Sequence, residues 1–193
     1  MLQNGKTLSM HSNSVYKGDC SHNGTLLKLH ENAYTIGYSA LLSPDGSSAG
    51  KVKFGDGVWY DANQKNNKVY VGAPTVADAV PVFAGIMVRE PGIASGYPVL
   101  NDEVADFQKD MLAKEGYIVY KEAYVGSTYT EKKNLFNNAS VTLGTNMYVR
   151  ELDGTVYFAS AKVDNDDALV GKVVEFNPDD ESVTVYINPA FVA

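Results

Sequence analysis

The chain has 193 residues, 45% of them apolar, and a formal net charge of −7. That length can bury a core without metal or disulfide staples, and an acidic chain lacks the clustered Lys and Arg that a nucleic-acid backbone requires. The single cysteine, Cys20, has no internal disulfide partner, which points to synthesis in a reducing compartment; the start Met1-Leu2-Gln3-Asn4-Gly5-Lys6 lacks the apolar core of a signal peptide, and no run approaches the ~20 apolar residues of a membrane span.

Residues 1–25 are polar and rich in Ser, Asn and Gly, and read as an N-terminal arm. Leu26-Leu27-Lys28-Leu29 and Tyr34-Thr35-Ile36-Gly37-Tyr38 are short strand-like runs, with His30-Glu31-Asn32-Ala33 as the turn between them. Ser43-Pro44-Asp45-Gly46-Ser47-Ser48 is a turn in which Pro presets φ and Gly takes a positive φ. Gly55-Asp56-Gly57 then opens a β-rich stretch that runs to Val88, and residues 89–98 form a Pro/Gly-bearing loop.

One helix is predicted, from Asp102 to Glu115. Asn101 is placed as its N-cap, and Asp102 and Glu103 suit the positive end of the dipole. Val104, Phe107, Met111 and Leu112 fall on one face, and Gly116 is placed to end it. On this reading Phe107 and Met111 are buried against a β subdomain. A strand follows at Tyr117-Ile118-Val119-Tyr120 and continues towards Val125. Residues 126–146 are loop-like, with a short strand at Val141-Thr142-Leu143, and Val183-Thr184-Val185-Tyr186-Ile187 is a strong last strand.

Two stretches look like copies of one β unit. The first holds Val58-Trp59-Tyr60-Asp61, Lys68-Val69-Tyr70-Val71 and Phe83-Ala84-Gly85-Ile86-Met87-Val88. The second holds Met147-Tyr148-Val149-Arg150, Thr155-Val156-Tyr157-Phe158 and Leu169-Val170-Gly171-Lys172-Val173-Val174. Gly85 and Gly171 should then occupy equivalent positions, where a side chain would clash or φ is positive. The fold class expected is mainly β: two related small barrel- or sandwich-like subdomains with one inserted helix. The corresponding divisions are an arm at 1–25, a first β subdomain at 26–98, a helix and linking strand at 99–125, and a second β subdomain at 126–193. A single closed barrel with an inserted helix fits the same pattern.

The chemical motifs are weak. Cys20-Ser21-His22, with His11 and His30 nearby, matches no zinc spacing and no nucleophile–base–orienter arrangement. Asp164-Asn165-Asp166-Asp167 starts like a calcium loop, but the sixth position is Leu169 rather than Gly, so a solvated turn is the better reading. Asp179-Asp180-Glu181 reads as a hairpin turn. Gly55-Asp56-Gly57 and Gly92-Ile93-Ala94-Ser95-Gly96 match no phosphate-binding loop. Trp59 and the thirteen Tyr are read mainly as core and rim residues, with a base- or sugar-stacking platform as the alternative. No catalytic residue, cofactor or metal ligand is assigned.

The ending of the chain carries a resemblance. Gly154-Thr155-Val156-Tyr157-Phe158, then Asn165-Asp166-Asp167-Ala168-Leu169-Val170-Gly171-Lys172-Val173-Val174, then Ser182-Val183-Thr184-Val185-Tyr186-Ile187-Asn188-Pro189 resembles the head decoration and structural cement proteins of tailed bacteriophages. Val80-Pro81-Val82-Phe83-Ala84-Gly85-Ile86-Met87-Val88 repeats the Gly-centred strand. The resemblance covers about half the chain, and the polar arm and helix depart from the smallest such proteins. It implies a non-enzymatic virion structural protein, made in the bacterial host cytoplasm and located on the capsid surface. Its partner would be the major capsid protein, and it would be a homo-oligomer with a trimer favoured, with no nucleic acid or membrane partner. The alternatives are a carbohydrate- or receptor-binding module of a head fibre or adhesin using Trp59 and exposed Tyr, and a hydrolase with acids among Asp164, Asp166, Asp179 and Glu181.

Overall fold

The computed structural model describes residues 40–49, 51–64, 68–88, 103–105 and 111–188. Fourteen strands run among them: β1 (Ala40–Leu42), β2 (Lys51–Lys53), β3 (Gly57–Asp61), β4 (Lys68–Tyr70), β5 (Pro81–Val88), β6 (Glu103–Ala105), β7 (Met111–Ala113), β8 (Gly116–Tyr120), β9 (Glu122–Val125), β10 (Lys133–Asn134), β11 (Asn146–Val149), β12 (Val156–Ala159), β13 (Ala168–Asn177) and β14 (Ser182–Ile187). A five-stranded sheet has the order β1-β4-β3-β5-β7, a seven-stranded sheet the order β10-β9-β12-β11-β13-β14-β8, and β2 pairs with β6. The mainly β class expected from the sequence is the one the chain adopts.

The repeat read from the sequence is present in the strand pairing, and it is larger than the three strands that revealed it. The row β1-β4-β3-β5-β7 is reproduced as β9-β12-β11-β13-β14. In both rows the first two strands are parallel and every later pair is antiparallel. Register agrees as well. Val58 faces Gly85 and Met147 faces Gly171, while Trp59 faces Phe83 and Tyr148 faces Leu169. Each pairing therefore skips the residue before the glycine, Ala84 in one unit and Val170 in the other, as a β-bulge does. β8 adds an outer strand to the second unit by pairing with β14. Its Ile118 and Tyr120 precede β9 at the spacing at which Ile36 and Tyr38, outside the described residues, precede β1.

The bulge glycines are equivalent for a shared reason. A Cβ on Gly85 would meet the Ala113 carbonyl oxygen at 2.9 Å, and one on Gly171 would meet the Tyr186 carbonyl oxygen at 2.8 Å. Each of those carbonyls lies on the next strand of its sheet, β7 or β14. Gly85 also has φ 152, whereas close approach alone requires glycine at Gly171.

The two large sheets share one core. Trp59, Tyr70, Phe83 and Ile86 of the first unit pack with Ile118, Tyr120, Met147, Val149, Phe158, Val173 and Val185 of the second. The alternate residues of the first sheet, Val58, Val69, Ala84 and Met87, join Leu41, Val52, Phe54 and Leu112 in a second cluster. The first sheet is therefore buried on both faces, which is why 58–61 and 83–88 read as nearly continuous apolar runs rather than clean alternation. The Tyr120 hydroxyl adds a polar link, donating to the Gly55 carbonyl at 2.9 Å.

The predicted helix at 102–115 is corrected. Among the described residues none is helical, and this range instead contributes β6 and β7. Leu112 is fully buried, opposite Met87 in an antiparallel ladder. Residues 106–110, including Phe107, lie outside the described residues. The helical stripe was a fit of short apolar repeats, and ladder pairing with β5 overrides it. Gly116 does not end a helix but opens β8, with φ 139. The short strand expected at Val141–Leu143 is also absent: this stretch is a turn, with Val141 buried and Leu143 exposed. The boundary between the two large sheets falls at Lys114-Glu115.

Candidate functional site

Where the two units meet, three backbone approaches define a seam. The Gly57 amide donates to the Gly154 carbonyl at 2.8 Å, and the Ala73 amide donates to the Glu151 carbonyl at 2.6 Å. Gly72 lies so close to the Leu152 carbonyl that a Cβ there would overlap it. The β11–β12 turn is responsible. Asp153 accepts from the Thr155 amide at 3.0 Å, and Gly154 takes φ 72, which are the roles Asp and Gly play in tight hairpins.

Beside this seam opens a cleft of about 390 Å³. Pro44, Ala73, Pro74 and Thr75 of the first unit form one wall, and residues of the second unit, from Arg150 to Leu152 and at Val163 and Asp164, form the other. The first wall is held by the Thr75 amide, which donates to the Pro44 carbonyl at 2.7 Å. The second is held by Asp167, whose carboxylate is 4% exposed. It accepts from the Tyr157 hydroxyl at 2.7 Å and from the amides of Glu151 and Asp164, each at 3.2 Å. Tyr157 in turn accepts from the Val163 amide at 3.0 Å. One buried acid and one buried phenol thus tie the 160–167 loop to the β11–β12 turn.

A row of tyrosines leads to the cleft across the outer face of the second sheet. Tyr148 stacks on Tyr157, Tyr157 meets Tyr129 edge-on, and Tyr129 meets Tyr124 edge-on. Arg150 lies 3.9 Å from the Tyr129 ring centre and is paired with Asp153 at 3.0 Å. Lys132 covers the Tyr124 ring at 5.8 Å. The Tyr129 hydroxyl is buried beside Tyr157, whose own proton goes to Asp167. Burial pushes the Tyr129 phenol pKa up, and the Asp167 charge adds to this, while Arg150 opposes it.

Glu151 is electrostatically strained. Burial raises its carboxyl pKa, and the charges of Asp166, Asp164 and Asp167 raise it further. An acid whose folded pKa lies above its unfolded value binds more protons when folded, so it costs nothing at low pH and destabilises increasingly as pH rises through the folded pKa. Glu151→Gln is therefore expected to raise the unfolding temperature at pH 7 and to leave it nearly unchanged near pH 4. Thermal melts of both proteins at the two pH values check this.

The residues singled out in the sequence fare differently. Asp164 and Asp167 do come together at the cleft, but as turn and anchor, in line with the turn reading. Asp179 and Glu181 lie beyond the opposite end of the ten-residue β13. At about 3.3 Å per residue this separates them from Asp164 and Asp166 by about 30 Å, so the four acids do not converge in one cleft. Among the described residues, no group of three or more His, Cys, Asp or Glu is arranged to hold a metal ion. Trp59 packs in the core against Phe83. Among the described residues no aromatic side chain is fully exposed, and Tyr124 and Tyr129 each carry a cation over one ring face. An open stacking platform built on Trp59 is thereby ruled out. Cys20, His11, His22, His30 and the Gly92–Gly96 loop lie outside the described residues.

Tyr129, Arg150, Glu151, Leu152 and Val163 were not singled out from the sequence. One signal was available: Leu152 is an apolar residue at the tip of an otherwise charged hairpin turn, Arg150-Glu151-Leu152-Asp153-Gly154, where burial by the hairpin itself is not possible. Among the described residues no helix is long and apolar enough to cross a membrane. No family model matches the chain, and no curated protein is significantly similar to it.

Proposed function

We propose that the chain is a non-enzymatic virion structural protein that binds the outer surface of a bacteriophage head and stabilises it. The observation that carries this reading is the repeated unit, in which strand order, orientation and bulge position recur and the two copies are locked by backbone contacts at the seam. A double β unit of this kind is stiff. Stiff surfaces lose little conformational entropy on docking, which favours a protein that acts by occupying many equivalent sites on a lattice. The resemblance of the Gly-centred strands to cement proteins points the same way, and an acidic chain stays soluble before it assembles. The partner in this reading is the major capsid protein, and the protein itself is a homo-oligomer, with a trimer favoured.

Purified protein mixed with undecorated heads of the phage that encodes it is expected to co-sediment with them at high copy number and to raise their disruption temperature. Sedimentation equilibrium of the free protein is expected to give a trimer mass. Heads that remain bare at saturating protein would overturn the reading. A monomer that nonetheless decorates heads would remove only the trimer.

A further inference from the structure

We propose that the cleft at the seam docks a segment of a partner protein in which an apolar residue adjoins Lys or Arg: the apolar side chain fills the cleft and the cation meets the carboxylates on its rim. This rests on the reading of the chain as a surface-binding structural protein and names the chemistry of the surface it meets.

The apolar half of the argument is the exposure of the lips. Leu152 is 70% exposed and Val163 is 42% exposed, yet both line the same cleft, opposite Pro44, Ala73 and Pro74. Exposed leucines are common singly, but two exposed aliphatic side chains at the mouth of one concavity mark a place where apolar area is left to be covered. A volume of about 390 Å³ is near the low end of ligand pockets, about 300–1,000 Å³, and suits one or two side chains.

The charge half selects the partner. Residues 150–167 hold five carboxylates against Arg150 and Lys162, so three negative charges stay uncompensated. Arg150 is committed to Asp153 and to the Tyr129 ring. Lys162 donates to the Asn165 carbonyl at 3.1 Å. Asp167 is consumed internally, which leaves Glu151 and Asp164 as the acids of the rim, with the charge of Asp166 acting on Glu151. Burial raises the Glu151 carboxyl, and the neighbouring charges of Asp166, Asp164 and Asp167 raise it further. An arriving ammonium or guanidinium relieves that repulsion, whereas an acidic segment adds to it. A bare metal ion is a poorer match, since these carboxylates are not gathered into a ligand set.

The test titrates the ¹⁵N-labelled full chain with three synthetic peptides of equal length, alternating Lys-Leu, Glu-Leu and Lys-Ser. Only the Lys-Leu peptide is expected to shift the amides of Ala73, Glu151, Leu152 and Val163. Leu152→Ser, at an exposed position that should not affect folding, is expected to weaken that peptide about tenfold, as is the pair Glu151→Gln and Asp164→Asn. Equal shifts from the Glu-Leu peptide, no shifts from any peptide, or unchanged affinity in Leu152→Ser would overturn the proposal. A second arm separates it from the function it rests on. If intact protein fails to bind heads while the Lys-Leu peptide occupies the cleft, the head-binding reading falls and the docking site stands. If Leu152→Ser decorates heads as fully as the intact protein, the cleft is not the contact and the inference fails alone.

Discussion

Gly154→Ala is expected to destabilise the chain by about 3–5 kcal/mol, well above the usual cost of a surface substitution. A Cβ at this position would overlap the Gly57 carbonyl oxygen and approach the Val71 carbonyl oxygen at 3.3 Å. Both are backbone atoms, so no side-chain rotation relieves the contact. The substitution would also place a Cβ at φ 72. To accommodate it the two units must part, and the bond from the Gly57 amide to the Gly154 carbonyl, 2.8 Å, lengthens with them. Gly126→Ala isolates the backbone contribution. Gly126 has φ 75 with nothing within 4 Å of its Cβ position, so its cost should be only the left-handed strain, about 1–2 kcal/mol. Urea melts of the two variants give the comparison, read from midpoints at constant slope. Equal costs would show that the seam is loose and that the units do not brace each other.

Asp167→Ala is expected to cost about 3–5 kcal/mol, because it strands buried groups instead of merely removing one contact. The Tyr157 hydroxyl and the amides of Glu151 and Asp164 all lose their acceptor. Tyr157→Phe should cost less, about 2 kcal/mol, since it leaves Asp167 two amide donors but orphans the Val163 amide. The double variant should fall short of the sum by about 1–2 kcal/mol, because the two side chains act on the same loop. Burial raises the Tyr157 phenol pKa, the bond from the Val163 amide lowers it, and the bond to Asp167 raises it again. At neutral pH Tyr157 is thus a neutral donor to Asp167. Fully additive costs in urea melts would mean that Asp167 and Tyr157 stabilise separate parts of the structure. The coupled outcome also bears on the cleft, since Val163 and Asp164 form its wall only while this pair holds the loop.

The sequence by itself determined what depends on local periodicity and on glycine. Short runs rich in Val and Tyr at 58–61, 68–71, 147–149 and 155–158 specify strands because β-branched and aromatic side chains fit the pleated surface of a sheet. Gly85 and Gly171 marked the repeat because a bulge beside a close neighbouring strand excludes a Cβ. The turn reading of Asp164–Asp167 followed from short polar side chains that bond their own backbone. Only the tertiary structure decided the segment from 102 to 115. Its apolar spacing fits a helix about as well as two strands, and the free ladder positions on β5 make strand pairing the better solution there. The sheet-to-sheet boundary at Lys114-Glu115 depends likewise on which strands find partners. The cleft was illegible for the same reason. Its walls come from Pro44, Pro74, Leu152 and Val163, more than a hundred residues apart at the extremes, and its anchor Asp167 gains meaning only beside Tyr157, ten residues away, and Glu151, sixteen away. Local pattern states which face of an element is apolar. It does not state which apolar residues are left uncovered after the faces meet, because that depends on contacts between elements that the chain brings together only when folded.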